Sequence, residues 1–266
     1  MGFDNELEAA KEAAVLAGDA IMKIYNSRKE TKTEYKEGHM PLTEADLVSN
    51  NIITEYLTVR FPDHAFLTEE GKNDLDRLKH DLCFIVDPLD GTKEFLKRNG
   101  QFTVNIALSC HHKPVMGVIY VPVTKELYFS QVGKGSFYKN KWKKEVPLTV
   151  NKIPKSKKDL KVVMSSSHGC RQMELLIKKY GMSDCIEMGS SLKGCMIAKG
   201  EADIYYRFNP TMEWDTAAMQ CIVEEAGGIF RQMDDTCMEY NRMNSVNEKG
   251  FYIINDWSSR LEVIES

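Results

Sequence analysis

The first stretch of the chain alternates apolar and polar residues at the spacing of a helix. Its apolar positions recur every three or four residues, at Leu7, Ala10, Ala14, Ala17, Ile21 and Ile24. Because that spacing lines one face of a helix, it predicts an amphipathic N-terminal helix rather than the unbroken apolar segment of a signal peptide. A second helix is predicted from about Thr43 to Leu57, with Thr43 as its N-cap and Asp46 in its first turn.

The middle of the chain has the alternation and the β-branched residues of strands. Strands are predicted at Cys83 to Val86, Val104 to Leu108, Val115 to Val121 and in a hairpin from Glu126 to Tyr138. The stretch from Trp142 to Lys161 is polar and basic and contains two prolines, which favours a junction between two halves. We therefore predict an N-terminal α+β half at residues 1–155 and a C-terminal half at residues 156–266.

The pattern after the junction alternates strands and helices, as in α/β folds. Its predicted elements are a strand at Val162 to Met164, helices near Met173 to Tyr180 and Ser190 to Lys199, a strand at Ile204 to Tyr206, a helix that opens near Asp215 and ends at Gly227, and strands near Ile229 and at Phe251 to Ile254.

Composition narrows the class of protein. With 266 residues and 42% hydrophobic content, the chain can bury a sizeable core. A net charge of -4 gives no general attraction to nucleic acid or membranes, and no apolar run is long enough to insert into a bilayer. Seven cysteines without a Cys-x-x-Cys motif argue against a disulfide framework and favour a cytoplasmic location.

The segment from Phe84 to Thr92 carries an apolar strand that ends in two carboxylates, Asp87 and Asp90. Pro88 and Gly91 are turn residues, so we expect the chain to turn here with both carboxylates at the carboxyl end of the strand. Two anions this close repel each other unless cations lie between them. Hard carboxylate oxygens favour Mg²⁺, or Mn²⁺ or Ca²⁺, over zinc. The alternative is an Asp-Pro turn with a capping Asp.

Further acids are placed in a similar way. Glu69 and Glu70 end a short apolar segment, and Asp215 lies in the first turn of a predicted helix. Each has a simple alternative, a solvated loop for the two glutamates and the preference of carboxylates for helix N-termini for Asp215. Together, acids that can meet at one point are what a multi-metal phosphoryl-transfer site requires.

Three motifs carry a resemblance to a known superfamily. They are Asp87-Pro88-Leu89-Asp90-Gly91-Thr92, Trp214-Asp215-Thr216-Ala217-Ala218 and Glu225-Ala226-Gly227-Gly228. They resemble the Mg²⁺-dependent, lithium-sensitive phosphatases, which include inositol monophosphatases, fructose-1,6-bisphosphatases and 3′(2′),5′-bisphosphate nucleotidases. Within this superfamily, Lys93-Glu94-Phe95, Ser190-Ser191-Leu192-Lys193 and Tyr206-Arg207-Phe208 favour the bisphosphate nucleotidases. The resemblance implies a layered α-β-α-β-α sandwich whose two halves meet at the active site.

The resemblance also implies a role for each acid. Its side-chain metal ligands are Glu70, Asp87, Asp90 and Asp215, with Asp87 bridging two Mg²⁺ ions and the carbonyl of Leu89 completing one shell. Two ions, or three with a weaker third, stabilise the attacking and the leaving oxygen of an in-line displacement.

Other residues are assigned to water and substrate by the same resemblance. Asp46 accepts a hydrogen bond from Thr92, whose hydroxyl orients the attacking water, and Gly91 and Thr92 offer backbone N–H groups to the scissile phosphate. The residues implied for the nucleotide and its second phosphate are His168, Ser190, Lys193 and Arg207. Plain capping by Asp46, a loop role for His168 and an exposed helix position for Lys193 remain the alternatives.

The resulting hypothesis is a phosphoric monoester hydrolase. It removes the 3′-phosphate of 3′-phosphoadenosine 5′-phosphate, a small-molecule substrate, to give AMP. An inositol monophosphatase or inositol polyphosphate 1-phosphatase is the first alternative, and a non-catalytic metal- or nucleotide-binding protein is the second. The oligomeric state is left open.

Two positions depart from the family pattern. Met40 replaces the usual Ser before Thr43, in a loop near the weaker third metal, so the number of ions is left open. Met219 stands where Gly is common, and we expect it to narrow or reshape the leaving-group pocket.

Overall fold

The secondary structure comes from a computed structural model that describes residues 2–27, 33–35, 41–142, 144–151, 156–167 and 169–263. Its helices are α1 (Asp4–Tyr25), α2 (Glu44–Arg60), α3 (Thr92–Leu96), α4 (Arg171–Tyr180), α5 (Leu192–Ala198) and α6 (Glu213–Glu225). Its strands are β1 (Thr33–Tyr35), β2 (Pro41–Thr43), β3 (Ala65–Thr68), β4 (Leu82–Asp90), β5 (Thr103–Cys110), β6 (Lys113–Val121), β7 (Glu126–Gln131), β8 (Gly135–Lys139), β9 (Glu145–Pro147), β10 (Val162–Ser165), β11 (Cys185–Met188), β12 (Ile204–Arg207), β13 (Thr211–Met212), β14 (Ile229–Gln232), β15 (Val246–Asn247) and β16 (Phe251–Ile254).

The larger sheet has seven strands in the order β3-β4-β5-β6-β7-β8-β9. Its first pair, β3 and β4, is parallel, and every later pair is antiparallel. The middle strands of this sheet are buried along nearly their whole length, because apolar clusters cover both faces of the sheet. The smaller sheet has five strands in the order β11-β10-β12-β16-β14, with parallel pairs at the β11 edge and antiparallel pairs at the β14 edge.

Three groups of buried side chains hold five layers together. The first group joins α1 and α2 to the outer face of the seven-stranded sheet. The second surrounds α5 and α6, which lie between the two sheets, and the third packs α4 on the far face of the five-stranded sheet. The layer order is therefore α-β-α-β-α, and the predicted sandwich is confirmed.

The passage from one sheet to the other falls in the stretch predicted as a junction. The larger sheet ends at Pro147 and the smaller one begins at Val162. The apolar cluster around α6 nevertheless draws on both sides of this passage, including Tyr128 and Phe230. The two halves thus share one core layer, and the division into domains at residue 155 stays a prediction.

Strand β4 departs from the predicted turn at Pro88. The strand runs on to Asp90, and its pairing with β5 shifts in register between Asp87 and Asp90. Proline is tolerated at such a bulge because no ladder N–H is needed there. The carbonyl of Pro88 accepts a hydrogen bond from Oγ of Ser49 at 2.6 Å. The turn itself comes at Gly91, whose φ of 97° favours glycine.

Two absences bear on the composition argument. All seven cysteines fall within the described residues, and they form no disulfide there. The helices of the described residues include none with the length and apolar character needed to cross a membrane.

Gly117 on β6 brings the large sheet into backbone contact with α6. A Cβ at this position would lie 2.4 Å from the carbonyl oxygen of Ala218 and 2.9 Å from its Cα. We therefore expect Gly117→Ala to lower the free energy of unfolding by about 1–3 kcal/mol, because backbone cannot move aside as a flexible side chain does. Denaturant titration measures the change.

A matched glycine serves as the control for this prediction. Among the residues that the structure describes, none has an atom within 4 Å of a Cβ built at Gly169. Gly169→Ala should change the free energy of unfolding by no more than about 0.5 kcal/mol. Equal stability of the two variants would contradict the close contact between β6 and α6.

Candidate active site

Two carboxylates leave the end of β4 on either side of its bulge. Asp87 is buried, and its Oδ1 accepts the backbone N–H of Leu89 at 3.1 Å, which holds the bulge closed. Asp90 is partly exposed and faces the same cavity as Asp87. The bulge matters because it changes the strict alternation of a strand, so residues three apart can share one side.

Asp215 reaches the same point from the other half of the chain. It is the third residue of α6, and its Oδ2 accepts the backbone N–H of Met212 at 2.7 Å, as in a capping box. Carboxylate oxygens of Asp87, Asp90 and Asp215 lie within 4.8 Å of one another. One oxygen of Asp215 thus anchors the helix start, while the carboxylate remains part of the acidic cluster.

Glu69, and not the predicted Glu70, lines the cavity beside this cluster. Thr68 pairs with Val86 in the parallel β3–β4 ladder, and the N–H of Glu69 donates to the carbonyl of Val86 at 3.1 Å. The ladder therefore continues one residue further and sets Glu69 level with Asp87. Side chains at matched positions of neighbouring strands share a face, which explains why the first glutamate of the pair is the one at the site.

Burial and mutual repulsion raise the pKa values of Asp87 and Asp215. Burial raises the pKa of Asp87 well above its usual range, and the charges of Glu69, Asp90 and Asp215 raise it further. Burial, followed by the charge of Asp90, raises the pKa of Asp215 to about 7. A divalent cation would relieve both effects, and hard oxygen ligands suit Mg²⁺, so the residues present fit such an ion.

Asp46 uses its two oxygens for two different partners. Oδ2 accepts the backbone N–H of Thr43 at 2.8 Å and its hydroxyl at 2.6 Å, which caps α2. Oδ1 accepts the hydroxyl of Thr92 at 3.1 Å. The capping alternative and the predicted contact with Thr92 therefore both occur. Burial raises the pKa of Asp46, while the Thr43 and Thr92 hydrogen bonds oppose that shift.

A cavity of about 340 Å³ joins the acidic cluster to polar residues of the other half. This volume is within the range of small-molecule sites. Arg207 and Ser190 both line it, and each has a buried side-chain atom without a hydrogen-bond partner among the described residues, Nε of Arg207 and Oγ of Ser190. Buried donors are normally satisfied, so the unpaired pair indicates a missing acceptor.

Lys193 lines the same cavity but is buried rather than exposed on its helix. Its Nζ turns back to donate to the carbonyl of Ser190 at 2.5 Å and lies 5.4 Å from the centre of the Tyr205 ring. Burial lowers the pKa of Lys193 to about 8, and the charge of Asp90 opposes that shift. The lysine therefore brings positive charge to the cavity wall and also closes the turn that presents Ser190.

Met219 fills a space that a neighbouring glycine leaves open. A Cβ at Gly194 would lie 2.2 Å from Cγ and 2.4 Å from Sδ of Met219, so the methionine occupies that volume. Met219 is buried and lines the cavity, as the prediction of a reshaped pocket requires. The missing glycine on α6 is thus matched by a glycine on α5.

The structure brings most of the predicted site residues to one cavity. The predicted residues on its wall are Asp87, Leu89, Asp90, Gly91, Thr92, Ser190, Lys193, Arg207 and Asp215. Asp46 lies behind Thr92. Glu69 lines the cavity, whereas the predicted Glu70 does not. His168 and Met40 lie outside the described residues.

Three further residues at the site were missed by the sequence analysis. They are Glu94, Ser191 and Asn105. Glu94 is buried, lines the cavity and accepts a hydrogen bond from the hydroxyl of Ser167. Glu94 and Ser191 lie inside motifs that carried the resemblance, so their positions were a signal. Asn105 lies inside β5, and the sequence around it contains no motif that points to the site.

Comparisons with known proteins agree on one family. The chain matches the inositol monophosphatase family over residues 4–262. It is 38% identical over 248 residues to the 3′(2′),5′-bisphosphate nucleotidase CysQ of Salmonella typhimurium, covering 93% of this chain and 98% of that protein. The 3′(2′),5′-bisphosphate nucleotidase CysQ of Escherichia coli strain K12 is 36% identical with the same coverage.

A solved structure gives the same result. The crystal structure of CysQ from Bacteroides thetaiotaomicron, a bacterial member of the inositol monophosphatase family, superposes with a TM-score of 0.83 at 38% sequence identity. The similarity covers 96% of this chain and 98% of that one. The likeness in fold and sequence therefore extends over both halves of the chain.

The raised pKa values predict how pH and metal act together on stability. The folded pKa of Asp215, about 7, lies above its ordinary value of 3.8, so its contribution to stability is present below about pH 4 and is lost as the pH rises through 7. Bound Mg²⁺ favours the charged carboxylates and reverses this loss. We expect saturating Mg²⁺ to raise the melting temperature more at pH 8 than at pH 5.5.

Asp215→Asn is the control, because it removes the titrating group and keeps the shape of the side chain. In this variant, the rise in melting temperature caused by Mg²⁺ should differ less between pH 8 and pH 5.5 than it does in the wild type. Equal stabilisation of the wild type by Mg²⁺ at both pH values would contradict a cation at the acidic cluster.

Proposed function

The chain belongs to the inositol monophosphatase family, and from that premise we propose that it removes the 3′-phosphate of 3′-phosphoadenosine 5′-phosphate to give AMP and phosphate. Its family and relatives make it a phosphoric monoester hydrolase of a metal-dependent family. The substrate class follows that of the bisphosphate nucleotidases to which it is similar. The seven unpaired cysteines support a cytoplasmic location.

One observation carries the choice of a bisphosphate over a monophosphate. Arg207 and Ser190 line the same cavity as the acidic cluster, and Nε of Arg207 and Oγ of Ser190 have no hydrogen-bond partner among the described residues. A second, non-reacting phosphate supplies the acceptor oxygens that these donors lack, and a guanidinium binds phosphate with good geometry. The positive charge of Lys193 adds to the attraction at the same wall.

We assign Glu69, Asp87, Asp90 and Asp215, with the carbonyl of Leu89, to two or three Mg²⁺ ions. These ions supply positive charge that balances the carboxylates and lowers the pKa of the attacking water. Gly91 and Thr92, on the cavity wall at the turn after β4, contact the scissile phosphate in this assignment.

The proton path follows from the Asp46 and Thr92 pair. The hydroxyl of Thr92 donates to Oδ1 of Asp46, so its lone pairs are left to accept a hydrogen bond from the attacking water. As water attacks phosphorus, the bond from phosphorus to the ribose 3′-oxygen breaks, and that oxygen takes up a proton from solvent in the cavity. The proton of the attacking water passes to Thr92 Oγ1 while the Thr92 proton passes to Asp46 Oδ1. Burial raises the pKa of Asp46, which makes it a stronger base than an exposed aspartate. Thr43 holds the other oxygen, so the acceptor keeps its direction.

Thr92→Val tests this path because it removes the hydroxyl and nearly keeps the side-chain volume. We expect kcat to fall about 10²- to 10⁴-fold, the usual worth of positioned acid–base catalysis, with little change in KM. Steady-state kinetics at saturating Mg²⁺ measures both constants. An unchanged kcat would leave Thr92 and Asp46 with structural roles only, Asp46 as the cap of α2.

Arg207→Ala tests the second phosphate. The variant should weaken the binding of 3′-phosphoadenosine 5′-phosphate by roughly 1.5–3 kcal/mol, because a hydrogen bond to a charged group is lost. Any slow hydrolysis of a nucleoside 3′-monophosphate should be unaffected, since that substrate has no second phosphate to offer. Phosphate release from both substrates, measured side by side, gives the comparison.

Arg207→Lys is the matched control, since it keeps the charge and loses the two-pronged geometry. Its effect should lie between those of wild type and the alanine variant. Equal loss of both activities in Arg207→Ala would mean that the arginine supports the fold or the metal cluster. Faster hydrolysis of inositol monophosphate than of the bisphosphate by the wild type would overturn the proposed substrate.

A further inference from the structure

Asp90 is held by donors that all reach the same oxygen. Within the described residues, Oδ2 accepts the backbone N–H of Ser191 at 2.6 Å, the hydroxyl of Ser191 at 2.6 Å and the amide of Asn105 at 3.2 Å. Three hydrogen bonds to one oxygen fix the rotation of the Asp90 carboxylate. Its other oxygen, Oδ1, remains able to bind another partner. Two of these three donors come from Ser191.

The donors to Asp90 are themselves fixed by a buried chain of hydrogen bonds. The amide of Asn105 also donates to Oγ of Ser191 at 2.8 Å, and its carbonyl oxygen accepts the hydroxyl of Thr103 at 2.9 Å. Thr103, Asn105 and Ser191 are all buried. Because water does not compete with these bonds, each one defines the geometry of the next.

Ser191 also joins the two halves at the acidic cluster. Its hydroxyl lies 3.3 Å from the backbone carbonyl of Asp215, and it directly precedes α5, which carries Lys193. Its neighbour Ser190 has a φ of 48°, in the left-handed region that an L residue adopts only where its surroundings require it. The contact with Asp90 therefore also fixes the turn that presents Ser190 to the cavity.

We propose that Ser191 is a positioning residue that sets the orientation of the Asp90 carboxylate for the divalent cation. Asn105 and Thr103 support it from β5. Ser191 does not touch the reacting atoms in this role, and it acts through Asp90. The proposal rests on the assignment of Asp90 as a cation ligand made under the proposed function, but not on the identity of the phosphate ester.

The principal test is metal binding in the absence of any substrate. Titration with Mn²⁺, followed by electron paramagnetic resonance, should show Ser191→Ala binding about 10- to 100-fold more weakly than wild type, the usual effect of removing a partner of a metal ligand. Because no phosphate ester is present, a wrong substrate assignment leaves this result unaffected. Wild-type Mn²⁺ affinity in Ser191→Ala would overturn the proposal.

Ser190→Gly is the matched control, one residue away. Glycine accepts the left-handed backbone, so the variant loses a hydroxyl without added strain. Its Mn²⁺ affinity should equal that of wild type, whereas its KM should rise. The kinetic defect of Ser191→Ala should diminish as Mg²⁺ is raised, and that of Ser190→Gly should not. The same Mg²⁺ dependence in both variants would overturn the proposal.

Thr103→Val keeps the inference testable should Ser191→Ala unfold. The change is nearly isosteric and removes only the hydrogen bond that orients Asn105. A smaller loss of Mn²⁺ affinity, with an unchanged melting temperature for the metal-free protein, supports the chain from Thr103 to Asp90. Unchanged affinity in both this variant and Asn105→Ala would overturn it.

Discussion

The repulsion among clustered carboxylates is the constraint on which the rest of the site depends. Asp87, Asp90 and Asp215 bring oxygens within 4.8 Å of one another, and the charge of Glu69 also raises the pKa of Asp87. A protein tolerates such a cluster only if protons or cations balance it. The surrounding hydrogen bonds hold the acids in place without neutralising them, so the geometry is kept while the charge is left for a ligand.

The position of α6 determines whether this cluster forms at all. Asp215 comes from the first turn of α6, whereas Asp87 and Asp90 come from β4 in the opposite half. The distance between helix and sheet is set by contact between the backbones at Gly117 and Ala218. Packing in the shared layer therefore sets how close Asp215 comes to Asp87 and Asp90. The acidic cluster thus depends on contact between the two halves.

Sequence patterns predicted the elements well where apolar spacing was long and regular. The layered fold followed from the family resemblance, and the two aspartates of β4 followed from the apolar strand that they end. The predicted turn at Pro88 was wrong because a bulge in β4 accommodates the proline. That bulge depends on the pairing of β4 with β5. The register between β3 and β4 fixes which glutamate faces Asp87. The local sequence does not contain that register, so Glu70 was predicted where the structure has Glu69.

The remaining differences are those that involve residues distant in the chain. Met219 is an oddity on α6 until Gly194 is seen to leave room for it, and Ser190 and Arg207 gain meaning only when both line one cavity. Ser191 and Asn105 lie 86 positions apart yet share the same oxygen of Asp90. A motif can thus name the ligands of a site, whereas the hydrogen bonds that aim those ligands come from tertiary structure. The acids and the groups that orient them are therefore separate parts of the site. A substitution can remove an orienting group and leave the acid in place, or remove the acid and leave the orienting groups in place.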